Sequence, residues 1–205
     1  MKRLLATIIC ILVFQGCNKE EEKTAHPIPQ QYIDWFYFNS GSYWIYEKND
    51  LSSPDTLEVD TTIFLIVNNP VPPYEYEDYM RISYKPNPFG FSFDHLSALS
   101  AISRNFTDST QYPIYDIYYS EPGKDLIMKD SYGNVVGTSK LENIYENYTI
   151  GTNSFDSVMV VLISDLVNTK LVRYYLAKGV GTAQIESIEN FDTTLWILDE
   201  WEVFN

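Results

Sequence analysis

Basic residues are scarce in this chain. Its 205 residues include 14 Lys and Arg against 28 Asp and Glu, a formal net charge of −14. A surface of that sign repels phosphate backbones, which excludes nucleic acid as a partner, and it disfavours lying flat on anionic lipid. Cysteine and histidine are nearly missing as well. Cys10, Cys17, His26 and His95 are the full complement of both, and their spacing matches no metal-ligand pattern. The chain has no Gly-x-Ser-x-Gly elbow, no Ser-x-x-Lys pair and no glycine loop that would cradle phosphate. No cofactor, metal or nucleophilic catalysis is therefore expected. The one long apolar run, Leu4 to Phe14, is broken only by Thr7; it is too short for the ~20 residues a membrane-crossing helix needs.

That run has a different meaning. Lys2 and Arg3 precede it and the small Gly16 follows it, immediately before Cys17, which is the three-part plan of a secretory signal. The end of the segment, Phe14-Gln15-Gly16-Cys17, resembles the lipobox of bacterial lipoproteins. The resemblance implies that residues 1–16 are removed and that Cys17 is acylated. Cysteine arithmetic agrees. Cys10 would leave with the signal, so the remaining chain would hold one thiol, at its first position, and could form no internal disulfide. Asn18-Lys19-Glu20-Glu21-Glu22-Lys23 is a charge run that cannot pack. It is similar to the acidic tag after the lipidated cysteine of Bacteroidetes surface lipoproteins. That likeness implies an outer-membrane lipoprotein, anchored by acyl chains, at the cell surface rather than in the periplasmic leaflet. Loss of Lys2 and Arg3 would leave 12 basic against 28 acidic residues.

Residues 17–31 read as the lipidated cysteine and a flexible tether, with Pro27 and Pro29 stiffening its end. A single domain is expected over 32–205, where the texture changes. The chain holds 17 Tyr, 11 Phe and 4 Trp, and β-branched residues are dense, which is strand composition. Leu57, Val59, Thr61, Ile63, Leu65 and Val67 alternate with Glu58, Asp60 and Thr62, while Met80, Ile82 and Tyr84 alternate with Arg81, Ser83 and Lys85. Both are half-buried strands of period two. Further strands are expected over 42–48, 112–119, 126–129, 155–164, 171–177 and 182–188, and over the end of the chain from Trp196. A short helix is expected over 94–103, with Asp94 capping and Leu96, Leu99 and Ile102 on one face. A second helical turn is expected over 30–36. The fold class is therefore mainly β: a curved antiparallel meander sheet or half-barrel, with a β-sandwich as the alternative and at most two short helices.

Two stretches carry a further resemblance. Phe38-Asn39-Ser40-Gly41-Ser42-Tyr43-Trp44-Ile45-Tyr46 and Tyr174-Tyr175-Leu176-Ala177-Lys178-Gly179-Val180-Gly181 are similar to paired strand motifs of Bacteroidetes-type surface lipoproteins. The resemblance implies a fold and an address, and brings no activity with it. The residues have their own physical sense: Gly41, Gly179 and Gly181 suit reversals that need φ > 0, and Trp44 and Tyr46 share a face as a core seed.

Chemistry-bearing clusters are few. Glu75, Glu77 and Asp78 interleave with Tyr74, Tyr76 and Tyr79. Carboxylates among aromatics serve glycoside hydrolysis, but a chain this acidic brings them together by composition alone. The tyrosines are better read as candidate ligand-surface aromatics. The expectation is a non-enzymatic binding or accessory module for a glycan, a peptide or a partner protein. The alternative is a carrier of an apolar ligand in a half-barrel concavity, with a carboxylate-dependent hydrolase third.

Overall fold

A computed structural model describes residues 25–50, 53–68, 76–86, 91–96, 99–105, 111–112, 122–129, 134–166 and 169–204. Cys17, Tyr74 and the signal and tag segments lie outside the described residues, as does all but Tyr112 of the strand expected over 112–119. The elements are β1 (Ala25–His26), α1 (Gln30–Phe36), β2 (Tyr43–Lys48), β3 (Asp55–Val67), β4 (Tyr76–Tyr84), β5 (Phe91–Leu96), β6 (Leu99–Asn105), β7 (Gln111–Tyr112), β8 (Asp125–Lys129), β9 (Val135–Ile150), β10 (Asn153–Asp165), β11 (Lys170–Ala177), β12 (Gly181–Glu189) and β13 (Asp192–Glu202). The sheet order is β7-β6-β5-β4-β3-β2-β13-β12-β11-β10-β9-β8. Strands adjacent in sequence therefore pair in two antiparallel runs, and β2 and β13 join the runs at the middle. The sheet is curved and is not closed into a barrel; the parallel pair of β1 with β4 lies off the main path.

Bulges explain both the curvature and the irregular patterns in sequence. In β13, Leu198 pairs with Tyr46 but Glu200 pairs with Ile45 and Trp201 with Trp44, so Asp199 is the extra residue. The register slip restores parity and puts Leu198 and Trp201 on the same face as Tyr46 and Trp44. Without it, Trp201 would face away from the core. In β9 the slip falls at Glu142, since Val160 pairs with Asn143 and Val161 with Leu141. A left-handed backbone at Asn147 follows (φ 52°). These two breaks erase the alternation that would mark Val135–Ile150 as a strand, and no strand was expected there.

The core lies on the inner face of the curled sheet. Trp44, Tyr46, Met80, Ile82, Leu141, Met159 and Leu198 are fully buried side chains, and α1 adds Trp35 and Phe36. The helix has Pro29 at its N-cap and no capping side-chain bond. At seven residues it is too short to stand alone, and burial of its aromatic face holds it. It forms where the helical turn was expected.

Two expectations need correction. The described residues of the segment 94–103 are not helical: they fall in β5 and β6, which pair through Asp94↔Ile102 and Leu96↔Leu99. Its serines are poor helix formers, and β4 offers a ladder edge through Tyr79↔Leu96 and Ile82↔Phe93. The tether also ends earlier than Tyr32. Ala25 pairs with Tyr76, Ile28 is buried, and its backbone N–H donates to the Asp78 carboxylate at 3.3 Å.

Candidate functional site

The two sequence motifs meet in space. The Trp44 indole N–H donates to the Val180 carbonyl, and the Tyr46 hydroxyl donates to the Thr182 carbonyl at 2.8 Å. The β11–β12 turn between them needs two left-handed residues, Gly179 (φ 71°) and Gly181 (φ 100°). Gly179 donates its N–H to the Asp34 carbonyl of α1 at 3.0 Å, and Lys178 reaches the Asp34 carboxylate at 3.4 Å. A Cβ on Gly181 would stand 3.3 Å from Phe38 and from two carbons of Trp44. Phe38 in turn packs edge-on to Trp44 with centroids 5.1 Å apart. Gly41 sits at the entry to β2 and donates to the Val59 carbonyl at 2.9 Å. This knot fastens helix, turn and the central strand pair. Trp44 and Tyr46 are buried within it, so it presents no open surface.

The tyrosine–acid run on β4 does not form one platform. Tyr76 and Tyr79 are three residues apart in an unbroken strand, and so project to opposite faces. The Arg81 guanidinium lies 5.6 Å from the Tyr79 ring centroid.

Among the described residues, Trp44, Tyr46, Met80, Met159 and Leu198 pack on the inner face. Burial pushes the phenols of Tyr46 and Tyr84 upward, and that of Tyr174 up to about 12.

The outer face carries a cluster that periodicity did not reveal. Tyr175 pairs with Val160 and Tyr145 pairs with Val158, so both tyrosines project from the face opposite Met159 and Val161. The left-handed Asn147 turns Tyr148 to the same side. The rings stack in a row: Tyr145 to Tyr148 at 4.9 Å and 29°, Tyr148 to Tyr175 at 6.2 Å and 21°. Val158 and Val160 are buried beneath them, while Tyr145 remains 39 % exposed.

Polar groups border this ladder. Arg173 donates through Nε to Glu142 at 2.6 Å and through a second nitrogen to the same carboxylate at 3.2 Å. It also bonds Glu186 across the β11–β12 pair. The bonds to Glu142, ahead of those to Glu186, hold the guanidinium pKa above its ordinary value against the desolvation that opposes them. Glu142 is available to Arg173 because the β9 bulge falls at that residue. The only sequence signal for the ladder was Tyr175 within the second motif; Tyr145 and Tyr148 sit in the strand whose alternation the bulge erased.

Among the described residues no group of three or more His, Cys, Asp or Glu could hold a metal ion, and no helix is long and apolar enough to cross a membrane. No protein-family model, curated protein or solved structure matches the chain.

Proposed function

We propose that this protein is a lipid-anchored extracytoplasmic binding module that recognises a glycan along the Tyr145–Tyr148–Tyr175 ladder. The single observation that carries the reading is that row of stacked rings on the outer face, with Tyr145 at its open end. Aromatic rings supply large contact area with few torsions to freeze. Asn143, which pairs with Val160 on the ladder's face, and Asn147 are exposed near the open end and offer the hydroxyl-directed hydrogen bonds a sugar needs. A carrier would require an unfilled apolar hollow, and the packing of aromatic and methionine side chains on the inner face gives weight to the outer surface instead.

The address rests on the N-terminal pattern: acylation of Cys17, anchorage in the outer membrane and display at the cell surface, within a Bacteroidetes-type lipoprotein family. Metabolic labelling with an alkyne fatty acid tests the anchor; label that persists in Cys17→Ala would refute it. For the ligand, affinity electrophoresis of the full chain through gels containing soluble polysaccharides tests the ladder. Retardation by at least one neutral polysaccharide is expected, with Tyr145→Ala restoring free mobility at unchanged thermal stability. Retardation that survives Tyr145→Ala would place the ligand elsewhere, and no retardation by any polysaccharide would refute the glycan reading.

A further inference from the structure

We infer that the end of the sheet bearing the β12–β13 turn is a docking surface for a basic protein segment, with Phe191 as its anchor. The inference is independent of the tyrosine ladder. Glu189 pairs with Asp192, leaving Asn190 and Phe191 as a two-residue loop. Both have left-handed backbones, φ 50° and 70°, the pattern of a type I′ turn. Asn tolerates the first position; the second favours glycine, because a Cβ there crowds the backbone. This chain instead places phenylalanine in the second position and leaves its side chain 104 % exposed. The side chain returns nothing to the fold for the strain it imposes. An aromatic held in that state is explained by contact with another molecule.

The tip does not stand alone. Registers Gly137↔Asp165, Asp165↔Lys170 and Lys170↔Glu189 align one row across β9 to β12. Val135, Leu166 and Phe191 lie just beyond that row, and Leu171 just inside it. Their exposures are 53 %, 58 %, 104 % and 39 %. Four large apolar side chains are thus presented at one end of the sheet. α1 occupies the opposite end, at Gly179.

Charge selects the partner. At the tip of the β12–β13 hairpin Glu189 and Asp192 stand against the cation Lys170, which pairs with Glu189, whereas Asp199, Glu200 and Glu202 belong to the far end of β13. Glu189 and Asp192 flank Phe191 directly, and both are exposed. Anionic lipid and acidic proteins are repelled. A polypeptide with lysines or arginines around an apolar socket gains both from burying Phe191 and from the acids beside it.

The test uses the purified full chain and two fluorescent synthetic peptides, one alternating leucine with lysine and one alternating leucine with glutamate. Saturable binding of the lysine peptide is expected, weakening as salt rises. Phe191→Ser and Phe191→Gly should each weaken it roughly tenfold or more, and Glu189→Gln with Asp192→Asn should flatten its salt dependence. Both Phe191 variants should remain folded, because no core contact is lost, and circular dichroism checks this. Binding unchanged in folded Phe191 variants would overturn the inference. So would equal binding of the glutamate peptide, or no binding of either. Co-sedimentation with phosphatidylcholine vesicles that both Phe191 variants abolish would overturn the protein partner in favour of a neutral membrane surface.

Discussion

Gly181→Ala is the sharpest perturbation of the knot that joins the two motifs. Two separate terms act at this position. The backbone is left-handed at φ 100°, and an alanine forced into left-handed geometry loses about 1–2 kcal/mol. The new Cβ would also stand 3.3 Å from Phe38 and Trp44 carbons, and crowding of a packed core by an added carbon costs about 1–3 kcal/mol. Reduced freedom of the unfolded chain returns about 0.4–1 kcal/mol. The net loss is about 1–4.6 kcal/mol, which for a domain of this size is a fall in Tm of roughly 2–18 °C. Gly179→Ala is the matched control. It shares the left-handed backbone, φ 71°, but its Cβ would meet nothing within 4 Å, so only the backbone term remains, about 0–1.6 kcal/mol after the same offset. Urea unfolding of the full chain, followed by circular dichroism and tryptophan fluorescence, measures both variants. Equal losses would mean that the contact with Trp44 contributes nothing. A loss below about 0.5 kcal/mol for Gly181→Ala would refute the close approach itself.

Two further perturbations test the core and the register. Tyr46, Tyr84 and Tyr174 all have phenol pKa values raised by burial. The folded chain therefore keeps protons that the unfolded chain releases above about pH 10. The stability these groups contribute should be full below pH 10 and should fall as pH rises through about 12, where Tyr174 titrates. Thermal scans from pH 8 to 12 that show a flat Tm would contradict that burial. Deleting Asp199 removes the extra residue that gives Leu198 and Trp201 a common face. One aromatic side chain must then leave the core or the strand must slip, so cooperative unfolding should be lost; a variant that melts with the parent Tm would show that the bulge does not set the register.

Local chemistry made much of the framework legible. Alternation in Leu57–Val67 and Met80–Tyr84 marks strands because burial on one face of a pleated strand has period two. The structure buries Leu57, Val59, Met80 and Ile82 as that pattern requires, but beyond the register shift between Val59 and Thr61 the pattern fails and Leu65 is exposed. The helical turn expected over 30–36 formed as α1. The left-handed turn at Gly179–Gly181 was legible because only glycine takes such angles without strain. The helix expected over 94–103 failed because apolar spacing of three suits a helix and is also produced by two short strands meeting at Leu96↔Leu99. Which of the two forms depends on a neighbouring edge, and the sequence of the segment contains no information about that edge.

The sequence by itself determined the class of this protein: strand-rich and acidic. Tertiary structure alone decided that β2 pairs with β13 across the length of the chain, because that pairing depends on the complementarity of Trp44 and Tyr46 with Trp201 and Leu198 once a bulge has aligned them. It also decided that Tyr145, Tyr148 and Tyr175 form one row. They come from two strands separated by a third, and one is turned by the positive φ of Asn147. Periodicity is a property of one strand, whereas bulges and inter-strand register belong to pairs of strands, and both candidate surfaces of this molecule are built from such pairs.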